Sequence, residues 1–76
     1  MITEQNIRDA ISGAVEEFDA DAIGTADDFF EVGLDSLDHA TILLAIQEEF
    51  GLTIPDEAID ECRSIDGILA YAAKAG

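Results

Sequence analysis

Apolar residues in this chain recur at every third or fourth position and nowhere alternate with polar ones. Placed about 100° apart on a helical wheel, Ile7, Ile11, Ala14, Val15 and Phe18 fall on one face. The same holds for Ile42, Leu43, Ile46 and Phe50, and again for Ile65, Ile68, Leu69 and Ala72. A half-buried strand needs a period of two, and that pattern is missing. The expected fold is therefore all-α: a small four-helix bundle of three main helices and one short one. The 76 residues predict a single domain, 1–76. A core of that size folds with little stability to spare.

Local signals set the expected boundaries. Thr3 is placed to cap helix one, with Glu4 in its first turn, and the apolar face carries that helix to Phe18. Gly13 lies off this face and weakens the helix by about 1 kcal/mol relative to alanine. A long loop follows, Asp19 to Asp35, between helices one and two. Structureless loops of this length are uncommon in compact domains and usually functional. Ile23, Phe29, Phe30, Val32 and Leu34 predict that it packs along the body, and Gly24 and Gly33 supply its bends. Helix two is expected over Ser36–Phe50, ending at Gly51. Pro55 suits the first position of the short helix, with Asp56 and Glu57 in the first turn and Ile59 and Cys62 sharing a face. Ser64 is placed to cap the last helix, and Lys74 complements the dipole at its end.

Charge narrows the function. Eighteen acidic residues stand against Arg8, Arg63 and Lys74, a net of −15. Such a surface repels phosphate backbones and anionic lipid heads, so nucleic acid and membrane insertion are excluded as expectations and basic protein patches are favoured. The longest apolar run, Ile42–Ile46, is too short to span a bilayer. Cys62 is the only cysteine, which rules out an internal disulfide and fits a reducing compartment. The start "MITEQNIRDA" has no basic head or long apolar stretch and does not read as a secretory signal. A soluble cytoplasmic monomer is the expectation. The clusters Asp27/Asp28/Glu31 and Asp56/Glu57/Asp60/Glu61 lack EF-hand spacing and read as solvated surface ahead of any calcium or magnesium site.

Helix two has a second apolar stripe, Leu37, Ala40 and Leu44, bordered by Asp38 and Glu48. Either it is buried by a central helix, or it is an exposed strip with a charged rim, the anatomy of an interface. At the mouth of this helix Ser36 stands in "GLDSLD". Serine and aspartate both favour the N-cap, so capping is the ordinary reading of Ser36. A catalytic serine needs a base and an oxyanion hole. The only histidine, His39, faces the core side of the wheel, away from Ser36, and reads as a helix-start residue whose charge Asp35 and Asp38 favour. The remaining reading makes Ser36 a substrate: an exposed hydroxyl modified by a separate enzyme, where free N–H groups and the helix dipole tolerate a phosphate.

"GLDSLD", the long loop before it, "EEFG" at Glu48–Gly51 and "IPDE" at Ile54–Glu57 resemble the acyl carrier proteins of bacterial type II fatty acid synthesis. The likeness covers nearly the whole chain. It implies a non-enzymatic carrier with 4′-phosphopantetheine attached to Ser36 by a phosphopantetheinyl transferase from coenzyme A. It also implies acyl cargo held as a thioester for synthases, reductases, dehydratases or acyltransferases with basic patches. Asp35, Leu37, Asp38, Leu44 and Glu48 match the family's docking face. The acyl chain would shelter among Ile7, Phe29, Leu43, Ile46, Ile54, Ile59, Cys62 and Ile68, for which plain core packing is the other reading, with Cys62 as a small buried hydrophobe. The family commonly has carboxylates where Thr41 and Gln47 stand and a bulkier apolar residue at Ala40. A specialised carrier is thus a live reading, including an aminoacyl, D-alanyl or peptidyl one. A reading of another class is an unmodified acidic module that binds a basic protein or calcium.

Overall fold

A computed structural model describes residues 2–75. Helix α1 spans Glu4–Ala14, α2 spans Ser36–Phe50, a 3₁₀ helix spans Asp56–Cys62, and α3 spans Ile65–Ala75. No strand occurs among the described residues. The all-α expectation and the long α1–α2 loop are both met.

Helix α1 is shorter than its apolar stripe suggests. Thr3 caps it in a reciprocal box with Asn6, but the helix ends at Ala14, and Phe18 N–H donates to Val15 O in a tight turn beyond it. Glu16 and Glu17 explain the early stop, because carboxylates are disfavoured at the negative end of a helix dipole. Val15 and Phe18 still pack against the core from the turn. Helix α2 has the expected bounds, and Gly51 closes it in the left-handed region at φ 67°. Pro55 is the residue before the 3₁₀ helix rather than its first position, and its carbonyl accepts from Ala58 N–H. Ser64 caps α3, its Oγ accepting from Gly67 N–H at 3.0 Å.

The core is aliphatic, with Ile7, Ile11, Ile42, Ile46, Ile65 and Ile68 fully buried around Phe29. The long loop takes part in it: Ile23, Phe29 and Leu34 are buried. Three ties hold the loop down. Arg8 Nη1–H donates to the carbonyls of Ala20 and Ile23, both at 2.7 Å, while its Nε–H donates to Glu4 at 2.9 Å. Asp66 N–H donates to Thr25 O, and Phe29 N–H donates to Arg63 O. Gly33 supplies a bend at φ 106°, whereas Gly24 keeps an ordinary backbone and donates its N–H to Asp27. At Gly67 the need is space: a methyl group there would overlap the carbonyl oxygen of Glu61, so α3 and the 3₁₀ helix meet backbone to backbone.

Candidate functional site

The site is built at the start of α2. Asp35 takes the N-cap: its carboxylate accepts from Asp38 N–H at 2.8 Å, and Asp38 accepts in return from Asp35 N–H at 3.3 Å. The capping expectation for Ser36 is thereby corrected. With two adjacent cap-favouring residues, the carboxylate one position earlier closes the box with Asp38. Ser36 becomes the first helical residue, exposed, with no hydrogen bond to its hydroxyl among the described residues. His39 N–H is bonded to Asp35 O, which leaves the N–H groups of Ser36 and Leu37 as the open donors at this end.

His39 is a buried core residue and not a surface group at the helix start. It is 2% exposed, and its Nε2–H donates to the carbonyl of Cys62 at 2.8 Å, tying α2 to the end of the 3₁₀ helix. A carbonyl only accepts, so Nε2 carries the proton. The ring packs against Phe29 and meets Phe30 edge-on, 5.1 Å between centroids. Helix α2 turns it inward, away from Ser36, so the two form no dyad. Phe30 lies at the surface, with the Arg63 guanidinium over its ring, 4.8 Å from the centroid, and Asp28 holding that guanidinium at 2.9 Å.

The second stripe of α2 is open. Leu37 is 72% and Leu44 54% exposed, with Ala40 exposed as well, so the exposed-strip reading of this stripe holds. Asp35 and Glu48 are exposed and Asp38 half-buried beside them. Thr41 is turned back along its helix, Oγ1–H donating to Leu37 O at 2.9 Å. Gln47 is spent internally: its amide donates to Leu43 O and its Oε1 accepts from Ile54 N–H at 3.0 Å.

The eight residues expected around an acyl chain come together inside the bundle. Ile7, Phe29, Leu43, Ile46, Ile54, Cys62 and Ile68 are buried, and Ile59 packs partly buried against them. Two open clefts on the surface are lined by other residues. One, about 840 Å³, lies at the far end of α2 against Ile2, Phe50, Leu52, Leu69 and Ala72. That is about 21 Å along the helix from Ser36. The other lies between α1 and α2. Burial pushes the Cys62 thiol above its usual range, with Glu61 adding to the rise and Lys74 opposing it. Among the described residues no three His, Cys, Asp or Glu side chains converge as a metal site. Asp27 and Asp28 instead accept from the backbone N–H groups of Gly24 and Phe30. No helix of the described residues is long and apolar enough to cross a membrane.

Sequence reasoning missed Arg8 and Gly67. Arg8 had no signal, since its partners lie 12 and 15 residues away. Gly67 had only its type, a glycine inside an otherwise helical stretch.

The sequence matches the phosphopantetheine attachment site family over residues 5–72. Across 96% of its length it is 41% identical to the mitochondrial acyl carrier protein of Dictyostelium discoideum, covering 63% of that protein. Over 57% of its length it is 49% identical to the mitochondrial acyl carrier protein of Saccharomyces cerevisiae, covering 34% of it. Over 60% of its length it is 37% identical to the acyl carrier protein of Bdellovibrio bacteriovorus, covering 59% of it. The chain thus spans less than two thirds of the length of these relatives.

These names correct the cytoplasmic expectation. The Dictyostelium and Saccharomyces relatives, like those from Schizosaccharomyces pombe and Neurospora crassa, are named mitochondrial, which stands against that expectation. A single unpaired cysteine fits any reducing compartment, so the residues themselves did not separate cytoplasm from mitochondrion. By the extent of the family match, with an exposed serine heading α2, this chain belongs to the phosphopantetheine attachment family.

Proposed function

We propose that the chain is an acyl carrier protein of one domain whose prosthetic group is attached at Ser36. The observation that carries this is the division of labour at the start of α2. Asp35 caps the helix, and Ser36 is left exposed and unbonded one position later. A hydroxyl free of structural duty can be handed to an outside enzyme.

The residues present fit the group. Ser36 Oγ attacks the coenzyme A phosphorus that carries pantetheine. The bond to the nucleotide half breaks, and the transferase supplies the metal ion and takes the serine proton. The open N–H groups of Ser36 and Leu37, with the positive end of α2, favour the phosphodiester that results. When bound, the arm supplies a terminal thiol that holds an acyl chain as a thioester. The chain catalyses nothing itself: His39, its only imidazole, is engaged in the core.

Docking of the transferase and of synthases, reductases, dehydratases or acyltransferases falls to Asp35, Leu37, Asp38, Leu44 and Glu48. The exposure of Leu37 and Leu44 supports this, because two uncovered leucines beside carboxylates suit a basic partner with an apolar centre. The acyl chain shelters among Ile7, Phe29, Leu43, Ile46, Ile54, Ile59, Cys62 and Ile68. These side chains are close-packed, so entry requires the helices to part, at a cost that a small aliphatic bundle can meet by local opening.

The test is intact mass after incubation with coenzyme A and a broad-specificity transferase. The expected result is a gain of one phosphopantetheine group that Ser36→Ala abolishes. An unmodified chain in the presence of active transferase overturns the proposal. Loading the product with an acyl-carrier-protein synthetase against an amino-acid ligase then separates acyl from aminoacyl cargo.

A further inference from the structure

We propose that the groove between α1 and α2 is part of the docking surface, and that it takes an arginine side chain of a basic protein partner. The inference rests on the carrier reading above and extends its partner surface onto a second helix. The groove is an open cleft of about 320 Å³. Its floor is small and apolar: Ala10, Gly13 and Ala14 from α1, and Ala45 from α2. Leu44, 54% exposed, rises at one wall. Asp9, Glu48 and Glu49 form the rims.

Three features select the occupant. The first is charge. Among the described residues no cationic side chain pairs with the rim, because Arg8 is turned to Glu4 and the loop carbonyls, Arg63 to Asp28 and Lys74 to Glu61. Of the rim carboxylates, Asp9 accepts from Gln5 at 2.9 Å, and Glu48 and Glu49 have no partner among the described residues. The second is spacing. The rim acids do not converge as a metal site, so a compact divalent ion is poorly matched. A guanidinium is broad, planar and multidentate, and its three-carbon stem can lie on an apolar floor while the head reaches separated carboxylates. The third is Gly13. It costs α1 helical stability, and a Cβ built there meets nothing within 4 Å. Its lack of a side chain leaves the floor open at its centre.

The test is a ¹⁵N chemical-shift titration of the full chain. Its probes are arginine amide, lysine amide and MgCl₂, at matched ionic strength. Arginine amide is expected to shift Asp9, Ala10, Gly13, Ala14, Leu44, Ala45 and Glu48 together. Gly13→Leu, which fills the floor, and the double variant Asp9→Asn with Glu48→Gln, which keeps its shape, are each expected to lose that local set. Shifts spread evenly over the acidic surface would overturn the groove, as would the same local set produced by MgCl₂ alone. Loading at Ser36 is read separately by mass. A chain that shifts at the groove but never gains the arm sinks the carrier reading alone. A chain that gains the arm without the local shifts sinks only the groove.

Discussion

Asp35 and Ser36 are adjacent, yet they should fail in opposite ways. Removing the Asp35 carboxylate takes away the acceptor 2.8 Å from Asp38 N–H and the negative charge nearest the α2 N-terminus. Loss of a cap of this kind costs about 1 kcal/mol, within a range of about 0.5–2. The end is solvent-exposed, so the freed N–H finds water and nothing larger is expected. For a domain of this size about 1 kcal/mol lowers the melting temperature by about 4–8 °C. Asp35→Asn should recover most of that loss, because asparagine caps as well as aspartate and only the charge is gone. Ser36→Ala removes no hydrogen bond and places a better helix former at the first helical position, so its melting temperature should hold or rise slightly. Thermal unfolding by circular dichroism at low salt reads the three variants, and intact mass after transferase treatment reads loading. The expected pattern is a destabilised Asp35→Ala and a fully stable Ser36→Ala that cannot be loaded. A Ser36→Ala variant as unstable as Asp35→Ala would refute the reasoning, because the hydroxyl would then be holding the helix.

Two further outcomes follow from the interior. Gly67→Ala pushes a methyl group into the Glu61 carbonyl where α3 meets the 3₁₀ helix, and overpacking of this kind costs about 1–3 kcal/mol; chemical denaturation should show the loss, while Gly13→Ala should be neutral or stabilising. The Cys62 thiol is raised in the folded state, so the fold keeps its proton where the unfolded chain gives it up. Its contribution is full below the ordinary thiol value of 9.0 and is lost as pH rises from there through the folded value. Stability should therefore fall more steeply above that pH in the native chain than in Cys62→Ala, and a thiol reagent at neutral pH should label Cys62 only as fast as the core opens.

Much of this fold is written locally. The bounds of α2 follow from Asp35 and Ser36 at one end and Gly51 at the other, signals that act within a few residues. The end of α1 was less legible, because Val15 and Phe18 continue the apolar period while Glu16 and Glu17 oppose the dipole, and the period alone does not weigh the two. At the head of α2, "DS" allowed either residue to cap, and only the backbone geometry assigned the task to Asp35. His39 was placed on the correct side of the wheel, but its partner, the Cys62 carbonyl, lies 23 residues on and carries no side-chain signal. Arg8 was hidden for the same reason, since it binds two loop carbonyls, and any residue has a carbonyl.

The two positions on α2 that lack the family's carboxylate, Thr41 and Gln47, have different physical meanings. Gln47 is committed to the fold: its amide donates to Leu43 O while its oxygen accepts from Ile54 N–H. A glutamate could keep the second bond but not the first, because an ionised carboxylate has no proton to donate. Thr41 points its hydroxyl at Leu37 O and leaves the surface beside it neutral. The outer face of α2 therefore carries carboxylates at its ends, Asp35 and Asp38 at one and Glu48 and Glu49 at the other, with Ala40, Thr41 and Leu44 between. A partner whose cations are aimed at the middle of this helix finds no counter-charge and desolvates them without return. A partner whose cations reach the two ends, with one arginine displaced toward Asp9 across the groove, meets a carboxylate at each position. The neutral middle thus acts against the first kind of partner as much as the acidic ends favour the second, and discrimination between carriers of one fold can rest on that difference.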